Sequence, residues 1–130
     1  MRPLNAGGRN QATGLAALWQ HQPLTRVLSS PFARCVETVQ PLADASALPV
    51  EATPALAEGY ADDAVRLVHD LIAQDAALCS HGDVIPAVLR ALDRDGVDVV
   101  PAWRWEKAST WVVTADDGSF TLATYVPPPQ

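Results

Sequence analysis

Two stretches of this chain carry residues able to do chemistry: Ser29-Ser30-Pro31-Phe32-Ala33-Arg34 and Cys79-Ser80-His81-Gly82-Asp83. In each, a short apolar run gives way to a helical pattern, with polar groups at the corner. A strand end that feeds a helix N-terminus offers free N–H groups and the positive end of the helix dipole, which favour an anion. Arg34 and His81 each lie just past such a strand end, and a guanidinium fork suits bidentate contact with phosphate. The two corners therefore read as one anion-binding site, provided the fold sets their strands side by side.

Other chemistries are poorly served. Ser80, His81 and Asp83 are neighbours on one turn and cannot form the spatial relay of a serine hydrolase, and no Gly-x-Ser-x-Gly elbow occurs. Histidines at positions 21, 69 and 81, with no Cys-x-x-Cys or His-x-x-x-His spacing, give no metal ligand set. No Gly-Lys-Ser or Gly-Lys-Thr marks a P-loop, and no cofactor is implied. A net charge of −6 opposes binding to nucleic acid or an anionic membrane surface. The positive charge is almost wholly arginine, Lys107 being the sole lysine. No run approaches the roughly 18 apolar residues of a membrane span, and no signal peptide is visible, so a soluble cytoplasmic protein is expected. Cys35 and Cys79 are read as free core cysteines rather than a disulfide.

At 130 residues with 48% hydrophobic content, one domain with one core is expected. Ala12, Leu15, Ala16 and Trp19 predict a helix over about 8–19. Arg26 to Ser29 reads as a strand, and Pro31 opens a helix to about Ala45 that turns Val36, Val39 and Leu42 or Ala43 inward. Residues 46–59, broken by Pro49 and Pro54, read as irregular loop. A helix over about 62–74 carries Ala64, Val65, Val68, Leu71 and Ile72 on its apolar stripe. Ala76 to Cys79 reads as a buried strand, followed by a helix with Asp83 as N-cap, Pro86 in its first turn and Gly96 at its end. Segments 109–114 and 120–125 flank Asp116-Asp117-Gly118-Ser119 as a β-hairpin. Trp103, Trp105 and Trp111 suggest an aromatic platform or, more simply, core and edge packing. This alternation predicts an α/β layered fold, a largely parallel sheet flanked by helices with a C-terminal antiparallel hairpin. Residues 1–126 would form the domain and 127–130 a Pro-rich tail.

Leu28-Ser29-Ser30-Pro31 with Arg34 and Thr38, then Leu56-Ala57-Glu58-Gly59, then Ser80-His81-Gly82, follow one another as they do in histidine phosphatases. The chain resembles that phosphoglycerate-mutase-like superfamily over nearly its whole length. Arg2-Pro3-Leu4-Asn5 and Gly8-Arg9-Asn10-Gln11-Ala12 look like the opening of short phosphohistidine-phosphatase-type members. The ending, Ser109 to Val113 and Tyr125 to Pro128, is similar to actinobacterial forms fused behind a Nudix hydrolase domain. The resemblance implies a histidine nucleophile that takes the phosphoryl group, a carboxylic acid that protonates the leaving oxygen, and a clamp of two arginines and a second histidine. It assigns Arg34 to the clamp as second arginine, His81 as second histidine, Glu58 as general acid and Ser30 as an aid in orienting phosphate. The bland alternatives are Arg34 bridging Glu37, His81 in an ordinary turn, and Glu58 merely solvated with Glu51, Asp62 or Asp63 as the acid. The implied ligand is a small phosphorylated molecule or phosphohistidine.

One expected feature has no counterpart in these residues: the opening strand ending in Arg-His-Gly, which in the family supplies the nucleophile and the first arginine. His21, in a polar turn, and His69, mid-helix, do not replace it. The expectation is a domain that is N-terminally incomplete, inactive as written, and catalytic only if the nucleophile segment is supplied. The alternative is a non-catalytic pseudophosphatase that binds a phosphorylated ligand or a protein partner. Loss of about five buried apolar side chains would forfeit roughly 8–15 kcal/mol and leave unpaired edges. Such edges leave room for a strand-exchanged homodimer or a partner chain, although nothing in the pattern requires either.

Overall fold

The computed structural model describes residues 4–100 and 104–129. Its first helix, α1 (Ala6–Trp19), is started by Asn5, whose side chain accepts from the Gly8 N–H at 2.8 Å. With two glycines in its first turn this helix has weak intrinsic propensity, so the cap and the burial of Ala12 and Leu15 hold it. It packs on α2 (Ala33–Ala45), which follows β1 (Arg26–Ser29). Then come β2 (Val50–Ala52), a 3-10 turn at Pro54–Leu56, α3 (Ala61–Asp70), β3 (Ala76–Cys79) and α4 (Val84–Arg94). The chain ends in β4 (Asp98–Val100), β5 (Thr110–Asp116) and β6 (Ser119–Val126).

The strands form two three-stranded sheets. In the first, β1 lies between β2 and β3, all parallel, with Val27 opposite both Val50 and Ala77. In the second, β6 lies between β4, to which it is parallel, and β5, to which it is antiparallel. Side chains alternate across β1, so Val27 joins Val39 and Ala43 of α2, while Leu28 joins Leu56, Ala64, Leu71 and Val84 on the other face. Helix α4 is a wall common to both sheets: Val84 belongs to that second cluster, Leu89 and Leu92 pack with Val97 and Ala123, and Val88 touches both groups. Each fully buried aliphatic side chain here contributes about 1.5–3 kcal/mol. On α1, Trp19 Nε1 donates to Thr110 Oγ1 at 3.3 Å and Gly14 lies against Pro129, so the Pro-rich end rests on a helix.

The α/β layered architecture with a parallel sheet and a terminal antiparallel hairpin agrees with the sequence expectation, and the hairpin turn is the expected one. Asp117 and Gly118 have φ of 53° and 76°, and Asp116 pairs with Ser119 across them. Several local expectations need correction. Residues 46–59 are not all irregular, because Val50–Ala52 pairs with β1 through backbone bonds that its own sequence does not announce. Strand β4 was likewise unforeseen. Helix α2 begins at Ala33, with Pro31 outside it and Phe32 as N-cap. Helix α3 stops at Asp70; Leu71 caps it and enters the core while the backbone turns, although the apolar periodicity runs on. Strand β3 is half-buried rather than buried, since it is an edge strand of its sheet. Trp111 is half-buried against Tyr125 and Trp105 is exposed at 38%, which is no flat platform; Trp103 lies outside the described residues.

Candidate active site

Strands β1 and β3 run parallel with Ser29 opposite Cys79, so the two polar corners open at the same level. The Ser30 N–H extends the pairing by one residue, donating to the Cys79 carbonyl at 3.0 Å. Side chains 51 positions apart thereby meet: Ser30 Oγ and His81 Nε2 share a hydrogen bond of 2.8 Å. Ser29 and Ser30 are both wholly buried, and Ser29 Oγ donates to the Ser30 carbonyl at 2.8 Å, which fixes the corner.

The imidazole of His81 is gripped from several directions. Its Nδ1 stands 3.4 Å from Glu58 Oε1, and its Nε2 is also 3.8 Å from Cys35 Sγ. The Phe32 ring meets it edge-on at 4.9 Å between centroids. Only 13% of the side chain is exposed, whereas Glu58 is 63% exposed. The ring is thus held in one orientation while the carboxylate beside it faces solvent.

Two hydrogen bonds hold the Glu58 loop to the β3 corner, one on each side of that residue. Ser80 Oγ donates to the Leu56 carbonyl at 2.6 Å, and the Gly59 N–H donates to Asp83 Oδ2 at 2.9 Å. Gly59 has φ +83°, a conformation that other residues adopt at a cost. Asp83 does stand at the N-cap of α4, but its side chain makes no capping bond, being committed to Gly59. Arg34 is exposed in the first turn of α2 and makes no salt bridge among the described residues. The alternative bridge to Glu37 does not form; Glu37 Oε1 instead accepts from the Leu4 N–H at 3.3 Å. A cleft of about 430 Å³ opens beyond Gly59, lined by Tyr60, Asp62, Asp63 and Arg66. With Asp63 paired to Arg66, the Asp62 carboxylate leaves its lining net negative.

The fold thus brings Ser30, Glu58 and His81 together and sets Arg34 at the start of the helix that follows the same corner, with no hydrogen bond or ion pair to them. A family model for branch 1 of the histidine phosphatase superfamily matches residues 2–75, more than half of the chain. The chain belongs to the histidine phosphatase superfamily. Among curated proteins, this superfamily member is 29% identical over 135 residues to an 8-oxo-(d)GTP phosphatase of Mycolicibacterium smegmatis. That match covers 99% of this chain and 42% of the relative, so the chain spans under half of the relative's length. The protein histidine phosphatase SixA, solved with tungstate, is similar with a TM-score of 0.74 at 22% identity, covering 99% of this chain and 84% of that one. A mycobacterial glucosyl-3-phosphoglycerate phosphatase solved with VO3 is similar with a TM-score of 0.71 at 17% identity, covering 95% and 84%. At such identities these structures speak to the fold.

Sequence reasoning singled out Ser30, Arg34, Glu58 and His81 but missed Phe32 as a wall of the histidine pocket, and Ser80 and Asp83 as holders of the loop. Both loop bonds join residues 24 apart across different elements, and no spacing rule marks such pairs.

Proposed function

We propose that this chain is a phosphohydrolase domain that works through a phosphohistidine intermediate when an Arg-His-Gly segment outside these residues supplies the nucleophile. The observation that carries the reading is the meeting of Ser30, Glu58 and His81 at two strand ends, beside an exposed Arg34 that forms no salt bridge among the described residues. Ser30, Arg34 and His81 hold the phosphoryl oxygens and offset the charge that spreads over them during transfer. Glu58 is the general acid. As the nucleophilic ring nitrogen bonds to phosphorus, the bond to the leaving oxygen breaks and the Glu58 proton passes to that oxygen. Water then attacks phosphorus, the P–N bond breaks, and the proton given up by water returns to Glu58 as phosphate departs. Without a nucleophile, the chain by itself falls short by about a millionfold and is inactive.

The ligand is a small phosphorylated molecule or a phosphohistidine, in the cytoplasm. The relatives support that range, one being called an 8-oxo-(d)GTP phosphatase and another a protein histidine phosphatase. The nucleophile strand can arrive from a flanking segment, a partner chain or an exchanged strand of a second copy. Calorimetric titration with tungstate tests the site. The wild-type chain is expected to bind, with Arg34→Ala and His81→Ala each about tenfold weaker or worse; equal binding by all three overturns the assignment. A chimera with an Arg-His-Gly strand placed ahead of α1 is expected to hydrolyse p-nitrophenyl phosphate, and Glu58→Gln to slow it.

A non-catalytic phosphoryl-binding or protein-binding domain is the second reading. It is favoured by the commitment of His69 to Val65 and Asp95, which leaves His81 as the imidazole shown at the corner among the described residues. An inert chimera that still binds tungstate would decide for it.

A further inference from the structure

We infer that Cys35 and Cys79 form a peroxide-sensitive dithiol at the floor of the phosphate site, and that closing it to a disulfide weakens anion binding there. Cys79 ends β3 and faces α2, packing with the Val27, Val39 and Ala43 cluster. Cys35 lies one helical turn before Val39 on the face of α2 that covers the same cluster. The two side chains, 44 positions apart in sequence, thus face one seam between α2 and β3, where Cys35 Sγ reaches the carbonyl of the residue that follows Cys79, and both are free thiols. Cys35 Sγ also stands 3.7 Å from the Ser80 carbonyl and 3.8 Å from His81 Nε2. The sulfur therefore touches the imidazole that the site depends on.

The electrostatics divide the roles. The hydrogen bond from Cys79, aided by one from Ser30, holds the Cys35 thiol below its ordinary range despite burial and the nearby Glu58 charge. The same hydrogen bond and burial push the Cys79 thiol well up. Cys35, whose Sγ also stands beside His81 Nε2 at the site, is the attacking sulfur and Cys79 the resolving one. The Cys35 thiolate displaces hydroxide from a peroxide to give a sulfenic acid. The Cys79 thiol then attacks that sulfur, and the departing oxygen leaves as water. Two thiols and one peroxide thus become one disulfide and two waters, and a dithiol reductant reverses the change.

A disulfide requires sulfurs about 2.05 Å apart. Meeting that distance draws Cys35 toward β3 and off His81 Nε2, and it pulls the first turn of α2, which carries Arg34, in the same direction. Loss of one charge-assisted contact to the anion corresponds to about tenfold in affinity. The coupling to anion binding rests on the phosphate reading above, but the disulfide itself does not.

The test treats the chain with a small excess of hydrogen peroxide, then measures intact mass, thiols that still react with iodoacetamide, and tungstate binding. The expected result is a monomer lighter by two hydrogens, no alkylatable thiol, about tenfold weaker tungstate binding, and full recovery with dithiothreitol. Retention of both thiols, or conversion to sulfinic acid or intermolecular dimers only, overturns the dithiol. A disulfide that leaves tungstate binding unchanged or tighter overturns the coupling. Failure of the reduced chain to bind tungstate sinks the phosphate reading instead, while the mass readout still decides the modification. Cys79→Ser serves as the second variant and is expected to stop at the sulfenic acid, trapped by dimedone; absence of the adduct there also counts against the assigned roles.

Discussion

Cutting the two bonds that hold the Glu58 loop tests whether that loop is ordered as a unit. In Ser80→Ala the neutral bond to the Leu56 carbonyl is lost, for about 1 kcal/mol. In Asp83→Ala the bond from Gly59 N–H to a carboxylate is lost; a charged acceptor is worth about 1.5–3 kcal/mol, but this one is exposed, which brings it to about 1 kcal/mol. Both bonds fix the same short stretch, so once one is gone part of the ordering entropy is already regained and the second removal costs less. The double variant is therefore expected to lose about 0.5–1 kcal/mol less than the sum of the singles. Urea denaturation of the four proteins, with slopes compared, measures the cycle. Asp83→Asn separates two causes, because its amide oxygen still accepts from Gly59 while the charge near the start of α4 is gone. Additivity within about 0.3 kcal/mol would refute a cooperative loop, and an Asparagine variant as weak as the alanine one would assign the effect to helix charge.

Three further outcomes are expected. Leu89→Ala, at a position 2% exposed against the second sheet, should destabilise by about 2–5 kcal/mol, and a loss under 1 kcal/mol in urea would mean that α4 is not the common wall. Gly118→Ala, at φ +76°, should cost about 1–2 kcal/mol with no change in tungstate affinity. Glu51 is held below the ordinary carboxylate range by its hydrogen bond with Arg26 across β1 and β2, partly opposed by burial. A folded value below the unfolded one gives stability that is complete above the unfolded range and lost as pH falls through the folded one. The gap in urea midpoint between wild type and Glu51→Gln should therefore be present at pH 7 and shrink as pH falls below the ordinary carboxylate range, and a gap constant with pH would count against the pairing.

The elements legible in the sequence were those with a bounded local signal. Strands β1 and β3 are apolar runs ended by serine, and α4 repeats its apolar residues at helical spacing before Gly96. What escaped depends on partners. Val50–Ala52 is three residues between two prolines and is a strand only because β1 lies beside it. Leu71 and Ile72 keep the helical period of α3, yet the backbone turns there with no glycine or proline to announce it. At the site, the order of motifs pointed to Arg34, Glu58 and His81, but the bond from Ser30 to His81 and the thiol beside it follow from the register of two strands. Register is a tertiary fact, written in neither strand alone.

The parallel pairing of β1 and β3 has a consequence for anyone who purifies this protein. On the reading proposed above, an anion seated across both corners would join segments about fifty positions apart and would bind only when that pairing exists. Such an anion would be a ligand of the folded state as a whole. At one hundred times its dissociation constant such a ligand adds about 2.7 kcal/mol to apparent stability. A chain handled in phosphate buffer would hide the weakness of most single substitutions, and the same variants moved into a buffer without oxyanions would fall apart at lower temperature.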